Sequence, residues 1–450
     1  MASPLGWLGI VRLGLVQTAL GSMVLVTTST LNRVMIVELG LAAVVPGALV
    51  GLHYGVQIAR PLWGHGSDRG RRRTPWIVGG MALLALASTG AALATALMAG
   101  SLAIGLALAT LSFVLIGIGI GAAGTSLLAL LASAVAAERR PAAATVVWLM
   151  MIFGIAVSGI ALGALLDPFS LGRLIIVTAG TGVVAVALTL FAVAGVEARF
   201  GAMPLARPDE PTKGPVAGFR TSLGDAWADP RARLFTIFVF VSMVAYSMQE
   251  LILEPFAGLV FGLTPGETTT LSGIQNAGVF AGMVLAGVAG SLLSRAFPAI
   301  LKIFIVGGCV LSGLALALLA AGSGAADEWP LTANVLALGF ANGLFAVAAI
   351  AAMMSLAGTA GPSRIGLRMG LWGAAQAIGF GLGGFLGTAA VDLFRLAGGT
   401  IPFAYGSVLL IEAAIFLVAA VIALRVRISG PPRAARRREA DDLAGLEPAQ

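Results

Sequence analysis

Leu102–Ala134 reads LAIGLALATLSFVLIGIGIGAAGTSLLALLASA, 33 residues without one Asp, Glu, Lys or Arg. An α-helix rises about 1.5 Å per residue, and about 20 apolar residues cross the hydrocarbon of a bilayer. The run is therefore read as a transmembrane helix. Outward from it, similar segments recur at roughly Leu8–Leu31, Leu41–Trp63, Pro75–Met98, Ala143–Leu166 and Leu171–Ala194. A second set of six follows at roughly Leu234–Phe256, Thr268–Leu292, Ala299–Ala321, Leu331–Leu356, Leu367–Val391 and Ile401–Ile422. The expected fold is an all-α membrane protein with 12 transmembrane helices in two six-helix halves.

Composition supports this reading: 58% of the 450 residues are hydrophobic and 10% charged, more apolar surface than a soluble core can hide. The abundance of glycine, 61 residues, suits helices that pack by close backbone approach in lipid. Residues 1–196 are expected to form the N-terminal bundle and 231–425 the C-terminal one. Between them, 197–230 carries Pro204, Pro208, Pro211 and Pro215 and reads as a cytoplasmic linker. The tail 426–450, with Arg436, Arg437 and Arg438 followed by Glu439 and Asp441, has too little apolar surface to fold and is expected to be disordered. Among the basic residues, Arg33, Arg173 and Arg395 fall on one side of the membrane and the rest on the side of the termini, which places both termini in the cytoplasm. The first apolar run lacks a small-residue cleavage site close behind it and is expected to remain as an anchor. The net charge of +7 is thus a topology signal, spread over short loops, and not the footprint of nucleic-acid binding. A single cysteine, Cys309, excludes an internal disulfide, and two histidines cannot build a multi-histidine metal centre.

The loop after the second span reads Gly64-His65-Gly66-Ser67-Asp68-Arg69-Gly70-Arg71-Arg72-Arg73. Glycine permits close helix approach, Asp68 can cap a helix or pair with arginine, and the basic run stays cytoplasmic. A degenerate copy, Gly290 to Arg295, follows the eighth span. This pattern resembles the loop signature of the major facilitator superfamily, although the second glycine stands one residue early. The resemblance implies the major facilitator fold and a conformational latch at Gly64, Asp68, Arg69, Arg71 and Arg72. The fifth span, with Gly154, Gly159 and Gly163, lacks the Gly-Pro that drug exporters of the superfamily often carry.

Two further stretches narrow the likeness: Leu31-Asn32-Arg33-Val34-Met35-Ile36-Val37-Glu38-Leu39-Gly40 at the end of the first span, and Gln249-Glu250-Leu251-Ile252-Leu253-Glu254-Pro255-Phe256 in the seventh. Charged residues at such points are rare in lipid-spanning helices. With Leu52-His53-Tyr54 and Arg60-Pro61-Leu62-Trp63, they resemble the PucC-like bacteriochlorophyll delivery family, here with a shorter loop at 68–74. That resemblance implies assembly of light-harvesting or reaction-centre complexes in a bacterial inner or intracytoplasmic photosynthetic membrane. It further implies bacteriochlorophyll as the bound pigment, antenna or reaction-centre polypeptides and pigment-synthesis enzymes as partners, and no enzymatic activity. The alternative is a proton-coupled secondary transporter of a small solute.

Several intramembrane polar residues are site candidates. His53, Gln57 and Arg60 share one face of the second helix, with Tyr54 beside them. A neutral imidazole at His53 can ligate the magnesium of a chlorin or hydrogen-bond a neighbouring helix. Glu250 and Glu254, four residues apart, share a face and need a partner; proton relay, pigment or metal ligation and a structural ion pair are the open uses. Overlaying the halves sets Arg33 opposite Glu250, so the two are expected to pair, or else each with Glu38 or Glu254 nearby. Glu412 stands isolated in the twelfth span. Gln249, Gln275, Asn276, Asn342 and Gln376 read as interhelical hydrogen-bonding amides. The run Gly379 to Gly384 reads as helix-packing surface and not as a dinucleotide loop.

Overall fold

The computed structural model of the chain describes residues 5–57, 72–136, 139–197, 227–293, 296–297, 299–358 and 365–426. Helices run in the order α1 (Trp7–Glu38), α2 (Val44–Val56), α3 (Thr74–Met98), α4 (Leu102–Ala134), α5 (Arg140–Leu166) and α6 (Leu171–Val193) in the first half. The second half holds α7 (Pro230–Phe261), α8 (Pro265–Leu293), α9 (Ile300–Gly322), α10 (Leu331–Gly358), α11 (Ile365–Leu396) and α12 (Ile401–Arg425). Among the described residues, 11 helices are long and apolar enough to cross a membrane, and α2 is a shorter apolar helix. Most of the linker, the tail beyond Val426, and Arg60, Gly64, Asp68, Arg69 and Arg71 lie outside the described residues, whereas Arg72 is exposed just before α3.

Local chemistry sets the helix limits. Ser170, Asp229 and Thr400 cap the starts of α6, α7 and α12 with side-chain oxygens. At α8 the Thr264 hydroxyl accepts from the Glu267 N–H (3.2 Å) while the Glu267 carboxylate accepts from the Thr264 N–H (2.8 Å), a reciprocal capping box. Gly262, at φ 70°, closes α7 in the left-handed conformation that favours glycine.

The halves repeat one packing scheme. In the first, α1 packs on α5 and α6, α3 on α4 and α6, and α2 on α4; in the second, α7 packs on α11 and α12, α9 on α10 and α12, and α8 on α10. The two bundles meet along α5 against α8 and α2 against α11, with α1 against α7. Each half has its own buried apolar core. Outward-facing Leu86, Ile176 and Val183 are at least 70% exposed, the surface that lipid covers.

Glycine governs the seam. A Cβ on Gly159 of α5 would lie 2.5 Å from the Gly273 backbone of α8, so at this crossing the two backbones touch. The run Gly379 to Gly384 does the corresponding work within the second half: a Cβ on Gly383 would stand 2.4 Å from the Val244 carbonyl of α7.

Candidate functional site

Hydrogen bonds between the halves gather at the end of the bundle opposite the termini, here called the distal end. Two wide, i→i+5 turns, Val26–Thr30 and Val34–Glu38, interrupt α1 there; such turns recur at functional sites because they re-aim side chains. From this segment Thr30 meets Thr269 of α8 (hydroxyl to hydroxyl, 3.2 Å), and Asn32 Nδ2 donates to the Leu251 carbonyl of α7 (2.6 Å). Buried Arg33 forms an ion pair with Glu38 and donates to the Leu263 carbonyl (2.7 Å). A Cβ on Gly258 would sit 3.1 Å from the Arg33 guanidinium, so glycine makes room for that side chain beside α7.

Two carboxylates extend this closure. Asp392, near the end of α11, accepts from the N–H groups of Ala43 (3.0 Å) and Val44 (2.7 Å) at the start of α2. Asp167, just past α5, accepts from the hydroxyl of Thr264 (2.9 Å), the cap of α8. Helices 5 and 11 hold equal rank in the two halves, as do helices 2 and 8, so the contacts are related by the internal repeat. In each, an acidic group from one half engages a positive helix start of the other.

Deeper in the seam, His53 is buried, with Nδ1 3.0 Å from the Val50 carbonyl and Nε2 2.8 Å from the Gln57 amide nitrogen. The Gln57 N–H donates to Nε2, which leaves the proton on Nδ1 to be donated to Val50. The imidazole stacks beside Tyr54 (ring centroids 4.3 Å), and an aromatic series continues through Phe380 of α11 (6.0 Å) to Tyr246 of α7 (5.7 Å). Tyr54, Tyr246, Phe380 and Glu250 are each partly exposed.

The structure selects among the pairings that the sequence leaves open. Arg33 pairs with Glu38 and not with Glu250, because the wide turn after Arg33 carries its guanidinium toward the distal end, where Glu38 is exposed and Leu263 offers a carbonyl. Glu254 accepts from the Ser272 hydroxyl of α8 (2.5 Å), and its second oxygen has no hydrogen-bond partner. His53 has a nitrogen partner one turn either side on its own helix, the Val50 carbonyl and the Gln57 amide. Asp167 and Asp392 escaped the sequence reading; their equal rank at the ends of helices 5 and 11 was the available signal.

Comparison with known proteins follows from this geometry. A family model described as PUCC protein matches residues 30–430, which takes in both halves and the seam. The chain belongs to the PUCC protein family. Within it, the chain is 53% identical to a Rhodobacter capsulatus protein called "Bacteriochlorophyll synthase 44.5 kDa chain", over 94% of this chain and 96% of that one. It is 31% identical to Protein PucC of Rhodobacter capsulatus, over 92% of this chain and 91% of the relative. Among solved structures, a bacterial homologue of the human lysosomal transporter Spinster, inward-facing and unoccupied, superposes with a TM-score of 0.68 at 15% identity, covering 93% of this chain and 98% of that one. At that identity the likeness carries the fold alone. This PUCC protein therefore has the major facilitator fold and is a multi-pass membrane protein.

Proposed function

We propose that this PUCC-family protein is a non-enzymatic assembly factor for photosynthetic pigment–protein complexes, holding or handing on bacteriochlorophyll while antenna or reaction-centre helices enter the membrane. The observation that carries the reading is the 53% identity, over almost the whole of both chains, to a relative named for bacteriochlorophyll synthesis. That name points to a place beside the pigment-making enzymes, and the chain's transporter-like fold argues for handling the pigment, not for making it. The partners are then those enzymes and the nascent antenna or reaction-centre polypeptides. The setting is a bacterial photosynthetic membrane, with the basic loops and both termini in the cytoplasm.

The seam suits such a ligand in part. A chlorin needs an apolar, aromatic wall for its ring and a few polar groups for its carbonyls. Tyr54, Phe380 and Tyr246 offer the wall, partly exposed and contributed by both halves, and Glu250 lies one turn from Tyr246. His53 does not fit as the magnesium ligand in this arrangement, since its acceptor nitrogen is taken by Gln57. The pigment is thus held by its ring faces and edges.

Purification in mild detergent from a host that makes bacteriochlorophyll tests the reading. Co-purifying pigment, together with loss of assembled antenna when the gene is deleted while pigment synthesis continues, is the expected result. A colourless protein that exchanges a small solute across liposomes would overturn it in favour of secondary transport.

A further inference from the structure

We propose that Glu412, Gln249 and Asn342 form a binding site inside the C-terminal half for one small monovalent cation, a sodium ion or a proton. All three side chains are at most 1% exposed. Both carboxylate oxygens of Glu412, Oε1 of Gln249 and Nδ2 of Asn342 are buried without a hydrogen-bond partner in the protein. Orphaned polar atoms are uncommon in a native core, and four atoms on three helices call for a common cause.

Helix register sets the three positions at one level of the bundle. Phe256 of α7 stacks near Tyr405 of α12, ring centroids 6.0 Å apart. Two turns toward the termini, seven residues along each antiparallel helix and on the same face, these positions become Gln249 and Glu412. Phe345 of α10 stacks on Phe416 of α12 at 5.6 Å. One turn toward the distal end, on these parallel helices, stand Asn342 and again Glu412. From the distal helix ends, Gln249 lies about 18 Å deep and Asn342 and Glu412 about 16 Å, at 1.5 Å per residue. Ser312 of α9 joins the same level by donating to Asn342 Oδ1 (2.8 Å). Beside it, a Cβ on Gly313 would lie 3.1 Å from the Ala413 carbonyl, so α9 and α12 are in close contact there.

The chemistry selects a cation. A carboxylate at mid-membrane carries a heavy cost unless its charge is met. Among the described side chains, the basic ones of the elements packed around it lie elsewhere: Arg231 and Arg233 stand in the first turn of α7 at the termini end, Lys302 bonds the Leu424 carbonyl near that end, Arg425 closes α12 there, and Arg395 lies near the distal end of α11. The other titratable groups on these elements are Tyr246, Glu250 and Glu254 of α7, Cys309 of α9, Asp392 of α11 and Tyr405 of α12, none of which brings a positive charge. The carboxylate and the Gln249 oxygen are hard donors suited to sodium, and the same atoms share a proton equally well.

The test uses the intact protein in detergent. Thermal unfolding of wild type and Glu412→Gln is followed in sodium, potassium or choline chloride at constant ionic strength, and separately across pH. Sodium-specific stabilisation of wild type that Glu412→Gln abolishes identifies a sodium site. Stability that ignores sodium but falls as alkaline pH removes the proton, in wild type and not in Glu412→Gln, identifies a proton site. Identical responses of the two proteins to salt and pH would overturn the proposal, leaving Glu412 a structural side chain. Should Glu412→Gln not fold, Gln249→Leu keeps the question open to decision. Loss of a ligand-shell oxygen lowers affinity about tenfold or more for radiolabelled sodium or shifts the pH response, and an unchanged profile in both would equally overturn the site.

Discussion

Asn32 of α1 donates its amide N–H to the carbonyl of Leu251 in α7, 2.6 Å away, and Leu251 is the residue whose usual helical donor would be Pro255. Proline has no N–H, so the helix leaves that carbonyl open. A side chain from the other half supplies the missing donor. The hydrogen bonding that α7 leaves open in one bundle is thereby completed by the other, and separation of the halves at this end exposes a buried acceptor.

Asn32→Leu should therefore destabilise the protein by about 1–3 kcal/mol, the range for an unsatisfied buried acceptor. In a Pro255→Ala background, where α7 provides its own N–H, the same substitution should cost clearly less. Thermal unfolding of the four proteins in detergent measures the coupling; strictly additive effects would show that Asn32 does not serve this carbonyl.

Arg33 is 2% exposed and commits its guanidinium to Glu38 and the Leu263 carbonyl. Arg33→Ala should lower folded yield and the unfolding midpoint, by about 1–3 kcal/mol for the charged hydrogen bonds lost. Exchange of charges in Arg33→Glu with Glu38→Arg should recover part of the loss. The corresponding exchange with Glu250 should recover none, and rescue by that pair would contradict the observed ion pair.

Asp167 and Asp392 each hold the start of a helix in the opposite half. Removal of such a cap costs about 0.5–2 kcal/mol, a roughly two- to thirtyfold change in the closed-to-open ratio at the distal end. A Thr388→Cys reporter, placed where α11 abuts Gly47 of α2, should be labelled faster in Asp392→Ala than in the parent lacking Cys309. Asp167→Ala added to it should increase labelling further. Labelling that stays at the parental rate in the double variant would show that these carboxylates do not keep the distal end shut.

For pigment, the engaged Nε2 of His53 leads to a definite expectation. His53→Leu, purified from cells that make bacteriochlorophyll, should retain the wild-type pigment ratio and absorption band. Tyr54→Ala combined with Phe380→Ala should lower the ratio, since those rings face the seam from both halves. A band shift confined to His53→Leu would reinstate the histidine as the magnesium ligand.

Much of this arrangement was legible in the chain. Helix number, the two-half division and the packing role of Gly379 to Gly384 follow from apolar run length and small-residue spacing, which are properties of short stretches. The site was legible only as a set of residues. Arg33, Glu38, Glu250, Glu254 and His53 stood out because charge and imidazole are costly in hydrocarbon. Their partners did not, since Leu251, Leu263 and Ser272 look like ordinary helix residues in one dimension.

By itself, then, the sequence determined that this protein crosses the membrane many times as two related bundles, because every span must satisfy its own backbone and bury its own length in lipid. Only the tertiary structure decided which polar group meets which. Two wide turns in α1 interrupt the regular periodicity, a proline in α7 leaves the Leu251 carbonyl without its helical donor, and the groups that meet across the halves, Asn32 with Leu251 and Asp392 with Val44, lie more than two hundred residues apart in the chain. Such pairings depend on helix crossing geometry, which no local pattern of residues encodes.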